Sequence, residues 1–391
     1  MGNTSPLSKA FSQWKLWGGI LLGVSVSLFM LFNALSKEQY YSTPGEGKYS
    51  WVDKNNDGKV QLDDATEFIK VQTGDYSKNT VSNVVQKINW GPSTLFWMGL
   101  AMIFVIGRDL FYIIRIRLLT HNSLSWKQGF RVIMLWEFAS ALSPGVVGGA
   151  AVAMFILNRE KIALGRATAI VVITALFDNL FYVIMIPFIF LFIDQQDLFP
   201  SSYEGSYTVQ TVFWIGFIVI FSVCLFLFCA IFIYPKLAAI ALNGLFSLPV
   251  LRRWKNRAIE TGNDIVIASK ELKGEPYSLW FKVFLATFGS WISRYLVINA
   301  ILQAFVGFGF KEHILILGKQ LILWLFMLIS PTPGGSGVAE YAFGELLSTM
   351  SVSALLLAAM AFVWRAFSYF PYLFIGSIML PQWLKSSSRR K

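Results

Sequence analysis

The chain of 391 residues is 55% hydrophobic and 16% aromatic, with only 14% charged residues and a formal net charge of +11. A soluble domain holds about a quarter charged residues, so a soluble enzyme is excluded, and runs of more than ~18 apolar residues mark a polytopic membrane protein. The excess Lys and Arg lies between those runs, which assigns it to membrane orientation and not to nucleic acid.

In chain order, residues 1–36 hold a first transmembrane helix over Leu16–Leu35. That run is too long for a signal-peptide core, and no small-residue cleavage site follows it. Residues 37–92 form an insertion. Its stretch DKNNDGKVQLDD fits a calcium loop, with Asp53, Asn55 and Asp57 at positions 1, 3 and 5 and Gly58 at the sharp turn. The Lys59 carbonyl, Gln61 and Asp64 take positions 7, 9 and 12. An EF-hand carries Glu at position 12, so the pattern is closer to dockerin-like loops. A structural Ca2+ is expected, with DATEFIKV as the exiting helix, against the plainer reading of a polar turn without metal. Residues 93–391 form the remaining membrane domain, with apolar runs at Leu95–Ile114, Ile162–Ile193, Val209–Tyr234 and Ser351–Leu380. Cys224 and Cys229 share one such run, where a helix keeps them apart, so no disulfide is expected.

Basic clusters at Lys9 and Lys15, Arg115 to Arg131, Arg159 to Arg166, Lys236 to Lys273 and Lys385 to Lys391 place those segments and both termini in the cytoplasm. The connection 194–208 has three acids and no basic residue, and it faces outward with the insertion. Both flanks of 131–157 are then cytoplasmic, although one crossing helix would separate them. That stretch is expected to enter, turn and return, and 314–347 does the same from outside. The expected fold class is an all-α integral membrane protein: about six full transmembrane helices, two re-entrant helical hairpins and a small EF-hand-like external insertion. The cytoplasmic basic loop 236–277 reads either as interfacial helices on anionic lipid or as an ordinary positive-inside anchor.

The two hairpins resemble each other. LWEFASALSPGVVGG from Leu135 and LWLFMLISPTPGGSG from Leu323 share Leu, Trp, Phe and a Pro/Gly break at nearly the same offset. Arg108 precedes the first by 27 residues and Arg294 the second by 29, while Asp178 and Arg365 follow by 43 and 42. With the halves running in opposite senses, this is an inverted repeat, a plan that gathers broken helices at a midplane substrate site. Broken backbone at that depth stands only where protein or a wet cavity satisfies its polar groups. A helix restarting near Gly337 would aim unpaired N–H groups at such a cavity, an anion site; the plain alternative is a packing kink.

Arg108, Asp109, Glu137, Asp178, Arg294, Lys319, Glu340 and Arg365 all fall within apolar runs, where ionisable groups default to functional candidates. The substrate-binding set is Arg294, Arg108 and Arg365 with Gly334, Gly335, Gly337, Glu340, Pro144, Gly148 and Gly149, because guanidinium matches phosphate oxygens bidentately. Asp178 and Glu137 are the proton- or ion-coupling candidates. Two readings stand for Asp178 and Arg365: functional groups, or a structural pair across the pseudo-axis. Glu340 has three: helix N-terminal stabiliser, ammonium ligand or proton carrier.

The string SPTPGGSGVAEYAF, with Pro331, Pro333, Gly334, Gly335, Gly337 and Glu340, together with LSPGVVGG and the basic loop between them, resembles the lysylphosphatidylglycerol synthase transmembrane family, flippase-like and UPF0104-type. The resemblance spans most of the chain outside 37–92. It implies a bacterial inner-membrane protein that moves a lipid, or the membrane half of a lipid-modifying system. The last apolar run ends at Leu380 and the sequence at Lys391, so this is expected to be a stand-alone member without the aminoacyl-transferase domain. No GxxxxGK[ST], HExxH or GxSxG string occurs and only His121 and His313 are present, so neither a nucleotide engine nor a catalytic centre is expected. The expected function is translocation of an anionic, aminoacylated or polyprenyl-phosphate-linked lipid between leaflets. The alternative is a membrane subunit partnered by a separate lipid-modifying enzyme on the cytoplasmic side.

Overall fold

The structure, a computed structural model, describes residues 13–36, 39–56, 58, 60–62, 64–79, 90–143, 147–199, 206–247, 252, 255–350 and 352–388. Helix α1 (Gln13–Ser36) leads into an antiparallel hairpin of β1 (Gln39–Trp51) and β2 (Phe68–Asn79). Ser42 faces Tyr76 and Trp51 faces Phe68, with register irregularities between Ser42 and Ser50. The exiting helix expected over DATEFIKV is therefore corrected: Ala65–Glu67 make one 3-10 turn and Phe68 opens a strand. Aromatic pairing explains the strand. Phe68 stacks on Tyr40 of the facing strand at 4.0 Å between ring centres, the kind of cross-strand contact that stabilises a sheet, and packs edge-on to Tyr76 of its own strand.

Within the loop, Asp53 Oδ2 accepts from Gly58 N at 2.9 Å. Asp64 caps the 3-10 turn instead of pointing a free carboxylate inward, with Oδ1 accepting from Thr66 N at 2.9 Å and Thr66 Oγ1 at 2.7 Å. Asp57 and Lys59 lie outside the described residues. Among the described residues no three His, Cys, Asp or Glu side chains converge as a metal site would require. The Thr66 hydroxyl and amide hold the Asp64 carboxyl below the ordinary aspartate value. Its capping contribution is therefore complete above that value and is lost as pH falls through the depressed one. An NMR titration is expected to show Asp64 titrating low, and Thr66→Ala to raise its midpoint; an unchanged midpoint would show that Thr66 does not hold this carboxylate.

The membrane domain runs α2 (Pro92–Leu119), α3 (Trp126–Leu142), α4 (Val147–Arg159), α5 (Leu164–Phe190), the short α6 (Gln195–Leu198) and α7 (Ser206–Phe228), which continues as a π-helical turn to Ile233. Then follow α8 (Pro235–Leu245), α9 (Lys255–Leu272), α10 (Tyr277–Phe305), α11 (Phe310–Ile329), α12 (Val338–Ser348), α13 (Ala354–Ser368) and α14 (Phe370–Ser388). Local signals set the boundaries. Pro92 opens α2 at its first turn. Ser125 and Gln128 form a capping box on α3, and His121 and Asn122 make the preceding turn in left-handed backbone.

Among the described residues, six segments are long and apolar enough to cross a membrane: 92–119, 164–190, 209–233, 277–305, 310–329 and 354–385. The chain is a mostly helical, multi-pass membrane protein. Segment 310–329 qualifies by length although the sequence assigned it to a hairpin, and the expected single run 351–380 is broken at Tyr369 between α13 and α14. Both expected interruptions are present, after Leu142 and after Ile329. The order long helix, helix, short helix, long segment occurs twice, as α2–α5 and as α10–α14.

Helices α2 and α10 pack antiparallel. Thr94 Oγ1 donates to the Ala304 carbonyl at 3.0 Å, and Gly107 abuts Ser293 while Phe111 abuts Gly289, so contacts descend α10 as they ascend α2. A Cβ on Gly289 would sit 2.8 Å from the Phe111 ring, so glycine permits this approach. The crossing brings Arg108 and Arg294 to one level. Around it, apolar clusters join α3, α4, α5 and α14 on one side and α10, α11, α12 and α13 on the other.

Candidate functional site

A cavity of about 360 Å³ opens where the two broken helix pairs meet the α2–α10 crossing. Arg108 and Arg115 of α2, Glu137 of α3, Asp178 of α5, Arg294 of α10 and Arg365 of α13 line it, together with Gly334 and Gly335. Aromatic side chains contribute much of the remaining wall, Trp136, Trp291, Trp324 and Tyr369 among them.

Three of the four arginines are buried and engaged. Arg108 pairs with Glu137 and lies 3.8 Å from Asp109. Arg115 donates to Asp178 at 2.6 Å, and Trp291 Nε1 donates to the same oxygen at 2.8 Å. Arg365 donates to Glu340 at 2.9 Å, to the Gly334 carbonyl at 3.0 Å and to Ser336 Oγ at 3.2 Å. Arg294 differs: its side chain is 32% exposed, it stacks on Trp291, and its nearest carboxylate oxygen, on Glu137, is 3.8 Å away. That separation is too long for a hydrogen bond, which leaves the guanidinium's donors facing the cavity.

The break after α11 is satisfied from within. Thr332 Oγ1 donates to the Ser336 carbonyl at 2.9 Å, Ser336 Oγ to the Pro333 carbonyl at 2.9 Å, and Arg365 covers the Gly334 carbonyl. Glu340 accepts from the Gly337 amide at 2.8 Å and from Ser27 of α1. The α12 N-terminus therefore binds this chain's own carboxylate, and neither Gly337 nor Glu340 lines the cavity. On the first broken pair, a Cβ at Gly149 would collide with Ser140, so glycine closes α3 on α4. Pro144 lies outside the described residues, and Gly148 is placed within α4. The structural pairing of Asp178 with Arg365 is corrected: each is bonded to another partner, because Arg115 and Glu340 are the nearer opposite charges. Lys319 is buried and donates to Thr349 Oγ1 at 2.9 Å, away from the cavity lining.

A family model described as the lysylphosphatidylglycerol synthase TM region matches residues 73–376. The chain belongs to this family. A UPF0104 membrane protein of Archaeoglobus fulgidus is 22% identical over 310 residues, covering 76% of this chain and 88% of that one. No solved structure matches the chain. Every cavity-lining residue of this lysylphosphatidylglycerol synthase family member falls within the matched segment. Helix α1 lies outside it, yet Ser27 ties α1 to Glu340.

Sequence reasoning missed Arg115, which it assigned to a cytoplasmic loop. The signal was available: Arg115 stands seven residues after Arg108, two turns on along the same helix face. It also missed Tyr369, whose hydroxyl reaches the Ala141 carbonyl at 3.3 Å and joins the end of α3 to the second break.

Proposed function

We propose that this chain translocates an anionic lipid between the leaflets of a bacterial inner membrane, with the lipid phosphate on Arg294. The observation that carries the reading is the half-open guanidinium of Arg294 at the wall of a cavity shared by both broken helix pairs. A cavity of this size is within the range of small-molecule sites, and a solid interior would instead have favoured a scaffold. The anionic, aminoacylated and polyprenyl-phosphate-linked lipids share the phosphate that such a site recognises.

In this reading the two broken pairs are re-entrant and both termini are cytoplasmic. Helices α4 and α12, with 13 and 11 residues, reach only about 20 and 17 Å, short of a hydrocarbon core of ~30 Å.

The test is leaflet exchange of short-chain fluorescent phosphatidylglycerol in proteoliposomes. Loss of a charge-assisted hydrogen bond, about 1.5–3 kcal/mol, is expected to slow exchange by about 10- to 100-fold in Arg294→Ala. Arg294→Lys is expected to fall between, since lysine keeps the charge and loses the planar fork. Exchange no faster than in protein-free vesicles, or an Arg294→Ala rate equal to wild type, would overturn the reading. The former result would turn attention to a membrane subunit of a lipid-modifying transferase.

A further inference from the structure

The arginines lining the cavity and the carboxylates near them balance. Arg108, Arg115, Arg294 and Arg365 stand against Asp109, Glu137, Asp178 and Glu340, and every guanidinium has a carboxylate oxygen within 3.8 Å. A lipid phosphodiester entering this set would leave one negative charge uncompensated in a low-dielectric interior, which is strongly unfavourable. We propose that the cavity takes its anion together with one proton, and that Glu137, the carboxylate the anion displaces from Arg294, carries that proton. The inference rests on the reading that the cavity holds a lipid phosphate.

The four carboxylates are not equivalent. Glu340 is 5% exposed, accepts from Arg365, Ser27 and the Gly337 amide, and does not line the cavity. Asp178 lines it but receives two direct bonds, from Arg115 and Trp291. Asp109 accepts from Tyr372 at 2.8 Å and lies outside the lining. Glu137 is on the wall, its side chain is 20% exposed, and both its arginine contacts fall on Oε2, so Oε1 is open to a proton. A phosphate on Arg294 brings a like charge close to this carboxyl, which favours its protonated form.

The charged and titratable groups facing Glu137 are Arg108, Asp109 and Tyr112 of α2, Arg294 of α10 and Tyr372 of α14. Asp178 of α5 acts on Tyr112 as well. Helix α4 carries only Arg159, stacked on Phe155 and Trp383, and the described side chains of α1 include no titratable group. Arginine stays charged throughout the accessible pH range, so Asp109 and Asp178 are the competing sites for the proton. Linkage is reciprocal: protonation of Glu137 tightens the anion by the factor with which the anion tightens the proton. The transported species is then electroneutral, a lipid anion with its proton.

The test uses the full chain in phosphatidylcholine nanodiscs. Dihexanoylphosphatidylglycerol and its acyl-free headgroup, glycerophosphoglycerol, are titrated calorimetrically in buffers of different ionisation enthalpy. Both probes are diesters with no titration of their own near neutrality. Wild type is expected to take up about one proton per bound anion, with affinity falling about tenfold per pH unit on the alkaline side. Glu137→Gln, which keeps an acceptor for Arg108, is expected to bind with no uptake, while Asp178→Asn and Asp109→Asn keep it. Binding of both probes with the same proton count assigns the coupling to the phosphate, and proton-linked binding of the lipid alone assigns it to the phosphate of a seated lipid. Wild-type binding without proton uptake overturns the inference and leaves the phosphate reading intact, a result that does not depend on any variant folding. Uptake unchanged in Glu137→Gln overturns the assignment to Glu137. No binding of either probe between pH 5 and pH 8 overturns the phosphate reading and the inference with it.

Discussion

Replacing Arg365 with methionine is expected to destabilise the folded chain by about 3–5 kcal/mol, the cost of stranding a buried carboxylate. Arg365 and Glu340 are 2% and 5% exposed and lie 2.9 Å apart. Without the guanidinium, Glu340 keeps only Ser27 and the Gly337 amide, and the Gly334 carbonyl and Ser336 hydroxyl each lose a donor. The cation also sits 4.1 Å from the Tyr369 ring centre, so its packing goes with its charge. The double variant Arg365→Met with Glu340→Gln is expected to be more stable than Arg365→Met alone, since it removes the stranded charge. Thermal unfolding in one fixed detergent measures both. A loss below about 1 kcal/mol, the range of solvent-exposed pairs, would show that this pair does not lock the second break to α13.

Gly334→Leu is the second large effect, expected at about 2–5 kcal/mol from two sources. Gly334 has φ +57, a left-handed conformation that costs a side-chain-bearing residue roughly 1–2 kcal/mol. A Cβ there would also sit 2.8 Å from Tyr369 Cζ and 2.9 Å from its hydroxyl oxygen, and overpacking of this kind costs about 1–3 kcal/mol more. The ring has no free direction, because its hydroxyl reaches the Ala141 carbonyl and its face lies under Arg365. Measured on a Tyr369→Ala background, Gly334→Leu is therefore expected to cost only the backbone part, since the ring it collides with is gone. If Gly334→Leu costs as much on the Tyr369→Ala background as in the wild type, the collision with Tyr369 is not the cause. In the exchange experiment Gly334→Leu is expected to fail as well, since Gly334 and the Tyr369 ring it would displace both line the cavity.

Most of the membrane helices, both interruptions and the matching levels of Arg108 and Arg294 were legible in the sequence. Each is a local property: apolar run length, a Pro/Gly cluster, an offset along one helix. The hairpin in 37–92 was less legible, because polar Asp/Asn/Gly turns join strands as readily as helices, and the cross-strand aromatic stack appears only once Tyr40 meets Phe68. Charge pairing was not legible at all. Arg115 meets Asp178 across 63 residues and Ser27 meets Glu340 across 313, distances over which composition carries no information about which of several opposite charges is nearest. That a cavity exists, and that Arg294 is the most exposed of its arginines with no carboxylate in hydrogen-bond reach, follows from how tightly α2 and α10 cross and how far each guanidinium can reach. Sequence period places a residue on a helix face; packing between helices settles which faces meet and which charge is left open.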